Sequence, residues 1–407
     1  MATFSVDFLG CKVSHSDAQE IRERLVRDGH VESGARNADV VVLNTCCVTH
    51  EAVRKSRQAA RRAARHARKV YVTGCAANLP DAFDGVPDNV RVISVPSERA
   101  AAFIAGDVGA IGCVQDEVGL DRVRAFVKVQ DGCSFSCRFC VIPQVRGASR
   151  SRAAAAVLAE VRRRVAQGHR EIVLTGINLG CYRDRPAGYD LPRLVRAVGT
   201  VPGLARLRLS SIEVNHLDDR LIAAMRETPV VSRHLHVPLQ SGDDGVLKAM
   251  GRRYSVATYL RRVGKVADFN LTADVIVGFP EEDEAAFANT VRTVEAAGIT
   301  KIHVFPYSPR PGTSTAADDR VPPAVKKDRS ARLRAVSDDA CRRRWGRKLG
   351  TTDTVLVDRP GRGYGDDYTP WLVQAPVGEI VRARAIAVRA EGVAGVPLQG
   401  SVGGVGG

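Results

Sequence analysis

The segment Cys133-Ser134-Phe135-Ser136-Cys137-Arg138-Phe139-Cys140 presents three thiols at CxxxCxxC spacing, close enough along the chain to reach one metal centre from a single loop. A four-iron, four-sulfur cluster is ordinarily held by four Cys thiolates. Holding it by three leaves one iron open to a ligand that is not protein, the same logic that separates catalytic from structural zinc. The competing readings are a zinc knuckle completed by a histidine, or three unrelated buried thiols. The nearest downstream histidine is His169, too far along the chain for a short zinc spacing.

A second set of cysteines lies upstream. Phe4 to Leu9 alternates like a strand and runs into Gly10-Cys11; Ala38 to Leu43 reads as a buried strand followed by Asn44-Thr45-Cys46; Lys69 to Thr73 runs into Gly74-Cys75. Helical patterns from Asp17 to Asp28 and from Glu51 to Arg68 separate the strands, as a βαβ alternation requires. In an open parallel sheet, ligands bind beyond the carboxyl ends of the strands. Cys11, Cys46 and Cys75 are therefore expected to converge there as a second three-cysteine site. Cys47 follows Cys46, and strand alternation would point its side chain to the opposite face.

Downstream, strand-like runs alternate with helical segments: Glu171 to Gly176, Leu207 to Glu213, His234 to Gly242, Ala273 to Pro280 and His303 to Ser308. That alternation implies a parallel, barrel-like sheet whose reacting groups gather at the strand C-terminal ends. His234 and His236 share a strand face, but with no third ligand evident they read as rim or core histidines. After residue 319 comes a basic helical stretch, Pro323 to Lys348. Short β-like runs follow at Asp353 to Asp358, Thr369 to Val373 and Glu379 to Val388, suggesting a small β-barrel, with Tyr368 and Trp371 as possible core aromatics. The end, Gly400 to Gly407, is Gly-rich.

The 407-residue chain carries a formal charge of +15, which makes a polyanionic partner available, and 44% hydrophobic residues, which support packed cores. The N-terminus lacks the basic and apolar regions of a signal peptide, and no run approaches the about 18 apolar residues of a membrane helix. A cytoplasmic protein is expected, with its ten cysteines more suited to metal binding or burial than to disulfides.

The CxxxCxxC segment, with Phe139, Val141-Ile142-Pro143 and Arg146-Gly147, resembles the radical S-adenosylmethionine (SAM) enzymes. Gly10-Cys11-Lys12-Val13, Asn44-Thr45-Cys46 with Val48-Thr49, and Val72 to Ala76 narrow the resemblance to the methylthiotransferases, over nearly the whole chain. The resemblance implies an α/β chain of three parts and a tail: an open parallel α/β sheet binding an auxiliary cluster (1–118), a radical-SAM partial (β/α) barrel (119–340), a small TRAM-like RNA-binding β-barrel (341–395) and the Gly-rich tail (396–407). It further implies two 4Fe-4S clusters, one on Cys133, Cys137 and Cys140 as the catalytic set and one on Cys11, Cys46 and Cys75, with two SAM molecules per turnover. SAM contacts are implied at Phe139, Thr175, Gly176, Ser210, Glu213, Gln240, Ser241 and Gly278. The implied partners are tRNA, a low-potential electron donor of flavodoxin or ferredoxin type, and a sulfur donor.

The implied reaction is insertion of a methylthio group at C2 of adenosine 37 of tRNA. That C–H bond is too strong for a side-chain base, so a carbon radical derived from SAM is needed. Arg208 to Glu213 and His303 to Ser308 look most like the branch that modifies N6-threonylcarbamoyladenosine. The alternatives are the isopentenyladenosine branch, a ribosomal-protein methylthiotransferase, and a non-catalytic iron-sulfur RNA-binding protein. Departures from the family pattern are Cys47, Asn78 and Glu281. For RNA, Arg54, Arg57, Arg61, Arg65 and Arg68 are expected to form one cationic stripe on the helix after Cys46. For a substrate carboxylate, Arg208, Arg252, Arg253 and Arg310 are expected as unpaired cations near the barrel rim.

Overall fold

The computed structural model describes residues 2–95, 97–109 and 123–398. The chain forms two compact units, one from the described parts of Met1–Gly119, Asp131–Arg150 and Ser308–Ala317, the other from those of Leu120–Gln130, Ser151–Tyr307 and Asp318–Gly407. The expected division near residue 118 and the tail Gly400 to Gly407 lie outside the described residues.

The first unit is built on β1 (Thr3–Phe8), α1 (Lys12–Arg27), β2 (Val31–Glu32), β3 (Val40–Thr45), α2 (His50–Ala63), β4 (Lys69–Gly74), β5 (Val90–Val92) and α3 (Ser97–Val108). The strands form one parallel sheet in the order β2-β1-β3-β4-β5. Burial on both faces explains the unbroken apolar run of β3. Val40 and Val42 pack with Phe4, Ile21, Leu25 and Ile104 on one side, while Val41 and Leu43 pack with Ala60, Ala63, Val70 and Val72 on the other. The helix expected to run to Arg68 stops at Ala63, because the Asn89 side chain donates to the carbonyls of Ala64 and Ala67 at 3.0 Å and caps the end. Arg65 and Arg68 therefore lie beyond α2.

The second unit follows the expected alternation: β6 (Arg124–Asp131, its last residue in the first unit), α4 (Ile142–Arg146) and β7 (Arg150–Ser151) at the join, then α5 (Ala154–Ala166), β8 (Glu171–Gly176), the small hairpin β9 (Arg183–Asp184) and β10 (Tyr189–Asp190), α6 (Leu191–Gly199), β11 (Arg206–Leu209), α7 (Asp219–Glu227), β12 (His234–His236), α8 (Asp244–Ala249), α9 (Val256–Gly264), β13 (Asn270–Val277), α10 (Glu284–Ala296), β14 (Ile299–Pro306) and α11 (Pro323–Gly346). Strands β6, β8 and β11 pair in parallel, as do β12, β13 and β14, and a parallel bridge from Ser211 to His236 joins the two sets into a partial barrel. Odd residues of β6 and β11 (Val127, Val129, Leu207, Leu209) pack with helix residues such as Val157, Leu194 and Phe287. The alternate positions share the opposite, concave face.

The chain ends in a closed barrel of β15 (Thr352–Arg359), β16 (Arg362–Tyr364), β17 (Pro370–Leu372), β18 (Ile380–Arg389) and β19 (Gly392–Pro397), in the order β15-β16-β17-β19-β18. Trp371 is 1% exposed and fills its core with Val355, Val381 and Val393. The loop from Tyr364 to Asp367 docks against the central strands. Arg208 Nη2 donates to Gly365 O at 2.8 Å, Ser232 Oγ to Asp366 O at 2.6 Å and Asn270 Nδ2 to Asp367 O at 2.8 Å.

The carboxylate of Glu171 lies beneath this loop, fully buried among Arg208 Nε at 3.0 Å, Arg124 Nε at 3.2 Å and Arg206 Nη1 at 3.5 Å. Burial works to raise its pKa, but Arg208, Arg124 and Arg206 outweigh burial and hold the carboxyl below the ordinary range. The stabilisation is complete above the unfolded carboxylate pKa and is lost as pH falls. Removing the carboxylate leaves buried guanidinium charge without its partner, so Glu171→Ala should cost about 3–5 kcal/mol of unfolding free energy in a urea titration; a loss under about 1 kcal/mol would mean that the arginines are satisfied without it.

Candidate functional site

Parallel pairing puts the C-terminal ends of β1, β3 and β4 side by side, with Phe8 opposite Asn44 and Thr45 opposite Gly74. The residues that follow each strand are neighbours for that reason. Cys11 is exposed and caps α1, while Cys46 and Cys75 are 8% and 5% exposed. Gly10 (φ +155°) brings the first turn so near the second that a Cβ there would lie 3.1 Å from Cys46 Cβ. Gly74 (φ +90°) turns β4 into Cys75, where a Cβ would strike the Thr45 carbonyl oxygen at 2.6 Å. The three turns that carry Cys11, Cys46 and Cys75 thus lie side by side at one edge of the sheet.

Cys47 departs from expectation. Strand β3 ends at Thr45, so strand alternation no longer applies at 46 and 47, and the Cys47 thiol is buried and interacts with Cys75. The Cys47 thiol brings Cys75 down to about 7, with Arg146 adding to it against burial. Cys47 itself is pushed far up by the Cys75 sulfur and by burial. Burial pushes Cys46 up to about 11.

Arg146, the last residue of α4, sits at the centre of this set. Its Nε donates to Cys75 Sγ at 2.9 Å, Nη1 to both carboxylate oxygens of Asp131 at 3.1 and 3.2 Å, and Nη2 to Asp17 Oδ2 at 3.0 Å. Asp131 leads through Gly132 into Cys133. In the CxxxCxxC loop, Cys140 N donates to Cys137 O at 3.1 Å and closes a turn over those two residues, while Cys133 N donates to Gly147 O at 3.0 Å; all three thiols are partly exposed. Phe139 is half-buried in the same turn.

On the concave face of the second unit, Thr175 and Gly176 end β8, and Ser210 follows β11 beside them. Ser210 is 3% exposed, and its hydroxyl has no hydrogen-bond partner among the described residues. Gln240 stands at φ +66° and bridges to Val275. Gly278 ends β13 and donates its N–H to Glu282. Two expected SAM contacts are already engaged: Glu213 receives Arg252 Nη2 at 3.0 Å and Asn215 N at 2.9 Å, and Ser241 turns toward Thr290 on α10.

The expected free cations are mostly absent. Arg208 is bound to Glu171 and the Tyr364–Asp367 loop, Arg252 to Glu213, and Arg310 in the first unit donates to Cys47 O at 3.1 Å and Ser308 Oγ at 2.8 Å. Arg253 alone of the four is exposed without an ion-pair partner among the described residues.

A polar network that sequence reasoning missed runs across β12, β13 and β14. His234 Nε2 and His236 Nδ1 meet Thr272 Oγ1 at 3.0 and 2.9 Å; His236 Nε2 and His303 Nδ1 meet the two oxygens of Asp274 at 3.2 and 3.1 Å. Burial opposes ionisation of Asp274, but the hydrogen bonds of His236 and His303 hold it far below the ordinary range. His236, Asp274 and His303 could together hold a divalent ion. The register of neighbouring strands, Asp274 opposite His303, was the signal that could have found them.

The arginine stripe also resolves differently. Arg54 is bidentate to Glu51 at 2.7 and 2.8 Å, while Arg57 and Arg61 donate to the carbonyls of Ala82 and Gly85 and brace that loop. Arg62 and Arg65, with Arg36 and His66, instead line a cavity of about 650 Å³ over Val41, Leu43, Ala59 and Ala63. Arg68 lies outside both.

Family descriptions match two stretches, the Radical SAM superfamily over residues 127–294 and Uncharacterized protein family UPF0004 over residues 3–84. The chain is 33% identical to the Threonylcarbamoyladenosine tRNA methylthiotransferase MtaB of Thermotoga maritima, over 97% of this chain and 96% of that protein. It is 36% identical to the protein of that name from Bacillus subtilis, over 83% and 81%. Among solved structures, the radical S-adenosylmethionine methyltransferase TsrM of Kitasatospora setae shares the fold, with a TM-score of 0.58 at 14% identity over 78% of this chain and 75% of that one. Among the described residues no helix is long and apolar enough to cross a membrane.

The thiolate is the reactive form of cysteine, and at pH 8 a thiol at about 11 is ionised to only about one part in a thousand. In the metal-free chain, N-ethylmaleimide should therefore label exposed Cys11 well before the buried Cys46 or Cys47, read by peptide mass. Equal rates would mean that the three strand ends are not packed as described.

Proposed function

Because the chain belongs to the family of threonylcarbamoyladenosine tRNA methylthiotransferases, we propose that it inserts a methylthio group at C2 of N6-threonylcarbamoyladenosine 37 of tRNA. The observation that carries this reading is the pairing of near full-length identity with two separate three-cysteine sets in one chain. Cys133, Cys137 and Cys140 would hold the cluster that binds and cleaves SAM, and Cys11, Cys46 and Cys75 an auxiliary cluster. The donor sets suit such groups: each offers three thiols, and the auxiliary set has a buried guanidinium to offset its charge.

When bound, the two clusters and SAM supply radical generation and sulfur; the remaining work belongs to the chain. Ser210, Thr175, Gly176, Gln240 and Gly278 would orient SAM at the strand ends, with Phe139 beside the cluster turn. Glu213 would act through Arg252 and Ser241 through the α10 contact. Packing of the strands against α5, α6, α7 and α10 keeps this face rigid and excludes water behind it. Residues 1–118 would carry the auxiliary set, 119–340 the SAM-binding core and 341–395 an RNA-holding barrel, in a cytoplasmic enzyme served by a flavodoxin- or ferredoxin-type donor and a sulfur source.

Purified enzyme with SAM and a low-potential reductant should methylthiolate tRNA bearing threonylcarbamoyladenosine and leave isopentenyladenosine tRNA unmodified, by nucleoside mass spectrometry. Conversion of the isopentenyl substrate instead would move the enzyme to the other branch.

For tRNA, the exposed Arg36, Arg62 and Arg65 around the 650 Å³ cavity are the better phosphate contacts, since Arg54, Arg57 and Arg61 are already engaged. Reversing the three to Glu should lower the log-log salt slope of tRNA binding by about 0.7–0.9 per lost contact. An unchanged slope would make the cavity rim an ordinary solvated surface.

A further inference from the structure

We infer that Arg146 is a positioning residue that fixes the auxiliary cluster against the SAM-cluster loop and sets the auxiliary cluster's reduction potential. The inference rests on the reading of Cys11, Cys46 and Cys75 as cluster ligands. The Arg146 side chain is 6% exposed, so its donors must be satisfied within the protein. They are spent on three acceptors that belong to different parts of the cysteine architecture. Nε reaches Cys75 Sγ itself at 2.9 Å; Nη2 reaches Asp17, on the helix that Cys11 caps, at 3.0 Å; Nη1 reaches Asp131, at the entry to the CxxxCxxC loop, at 3.1 Å.

A planar guanidinium offers its donors in a fixed fork, so binding all three acceptors at once fixes their mutual placement. Lysine, a single point charge, cannot do this. The charges also require it: Asp17 and Asp131 are 1% and 4% exposed, and the buried guanidinium of Arg146 pairs with both, at 3.0 and 3.1 Å, while Arg150 reaches Asp131 alone of the two, at 3.3 Å, among the contacts of the described residues. An N–H donated to a cluster-bound sulfur stabilises the reduced, more negative state of the cluster, and hydrogen bonds to sulfur are among the factors that set cluster potential.

The test uses the full chain carrying Cys133→Ala, Cys137→Ala and Cys140→Ala, so that the auxiliary cluster is the remaining signal. Iron content is measured first, then the potential by titration followed by electron paramagnetic resonance, then exchangeable protons coupled to the reduced cluster by electron-nuclear double resonance in H2O and D2O. Arg146→Gln should keep the iron of its parent, shift the potential to a more negative value and lose an exchangeable proton coupling. Should Arg146→Gln fail to fold, Arg146→Lys decides, because it keeps a positive charge for Asp17 and Asp131 yet lacks the planar fork that aims a separate nitrogen at Cys75. An unchanged potential and proton coupling in a variant with full iron overturns the role of Arg146 and leaves the ligand reading standing. A parent that binds no cluster overturns the ligand reading itself, and this inference with it.

Discussion

Parallel pairing of β1, β3 and β4 is the constraint on which the first unit depends. In a parallel ladder the strands point one way, so whatever follows each strand emerges at the same edge, separated by roughly one inter-strand spacing of 4.8 Å. That spacing brings Cys11, Cys46 and Cys75 together without any long-range contact being designed among them. It also concentrates polar groups where the sheet's hydrogen bonding ends, and something must satisfy them. Asn44 Nδ2 donates to Ser14 O and Thr45 Oγ1 to Thr73 O, so the polar residues before Cys46 brace the turns.

The second unit meets the same demand with charge. Its concave face carries Arg124, Arg206 and Arg208 at one end, where Glu171 supplies a fully buried carboxylate and Asp358 on β15 a second contact to Arg124 at 3.6 Å. The terminal barrel supplies the remaining acceptors as backbone carbonyls of Thr354, Tyr364, Gly365 and Asp366. Much of what looks in the sequence like surplus cation is therefore internal structure. The +15 charge overstates what is available to a polyanion, and the available part is better represented by exposed, unengaged side chains such as Arg36, Arg62 and Arg65.

This is also where sequence reading reached its limit. The buried run of β3, the cysteines after each strand, the strand and helix alternation and the terminal β-barrel follow from local pattern, because burial and strand alternation are local properties. Partner identity is not local. Arg208 is neutralised by Glu171 on the neighbouring strand and by a loop more than 150 residues away, which no spacing rule connects. The end of α2 is set by Asn89, from the turn before β5. Strands β16 and β19 are not among the β-like runs of the sequence, where glycines interrupt them, yet a glycine is what lets β19 pass close: a Cβ on Gly395 would lie 2.6 Å from the Trp371 ring.

The histidine network shows how register converts separate residues into one device. Asp274 meets His236 Nε2 and His303 Nδ1 through its two oxygens, and the Thr272 hydroxyl meets both His236 Nδ1 and His234 Nε2, so one carboxylate and one hydroxyl tie together three rings from two flanking strands. The carboxylate orients the His303 ring through Nδ1, as a buried carboxylate orients a catalytic imidazole. Strand order alone brings this about: β12, β13 and β14 are neighbours, and positions 236, 274 and 303 fall on the same face at adjoining registers. The concave face is thus ordered at one end by arginine and carbonyl contacts and farther along its strands by the contacts of Asp274 and Thr272 with the histidines, and Ser210, whose hydroxyl has no hydrogen-bond partner among the described residues, follows the end of β11.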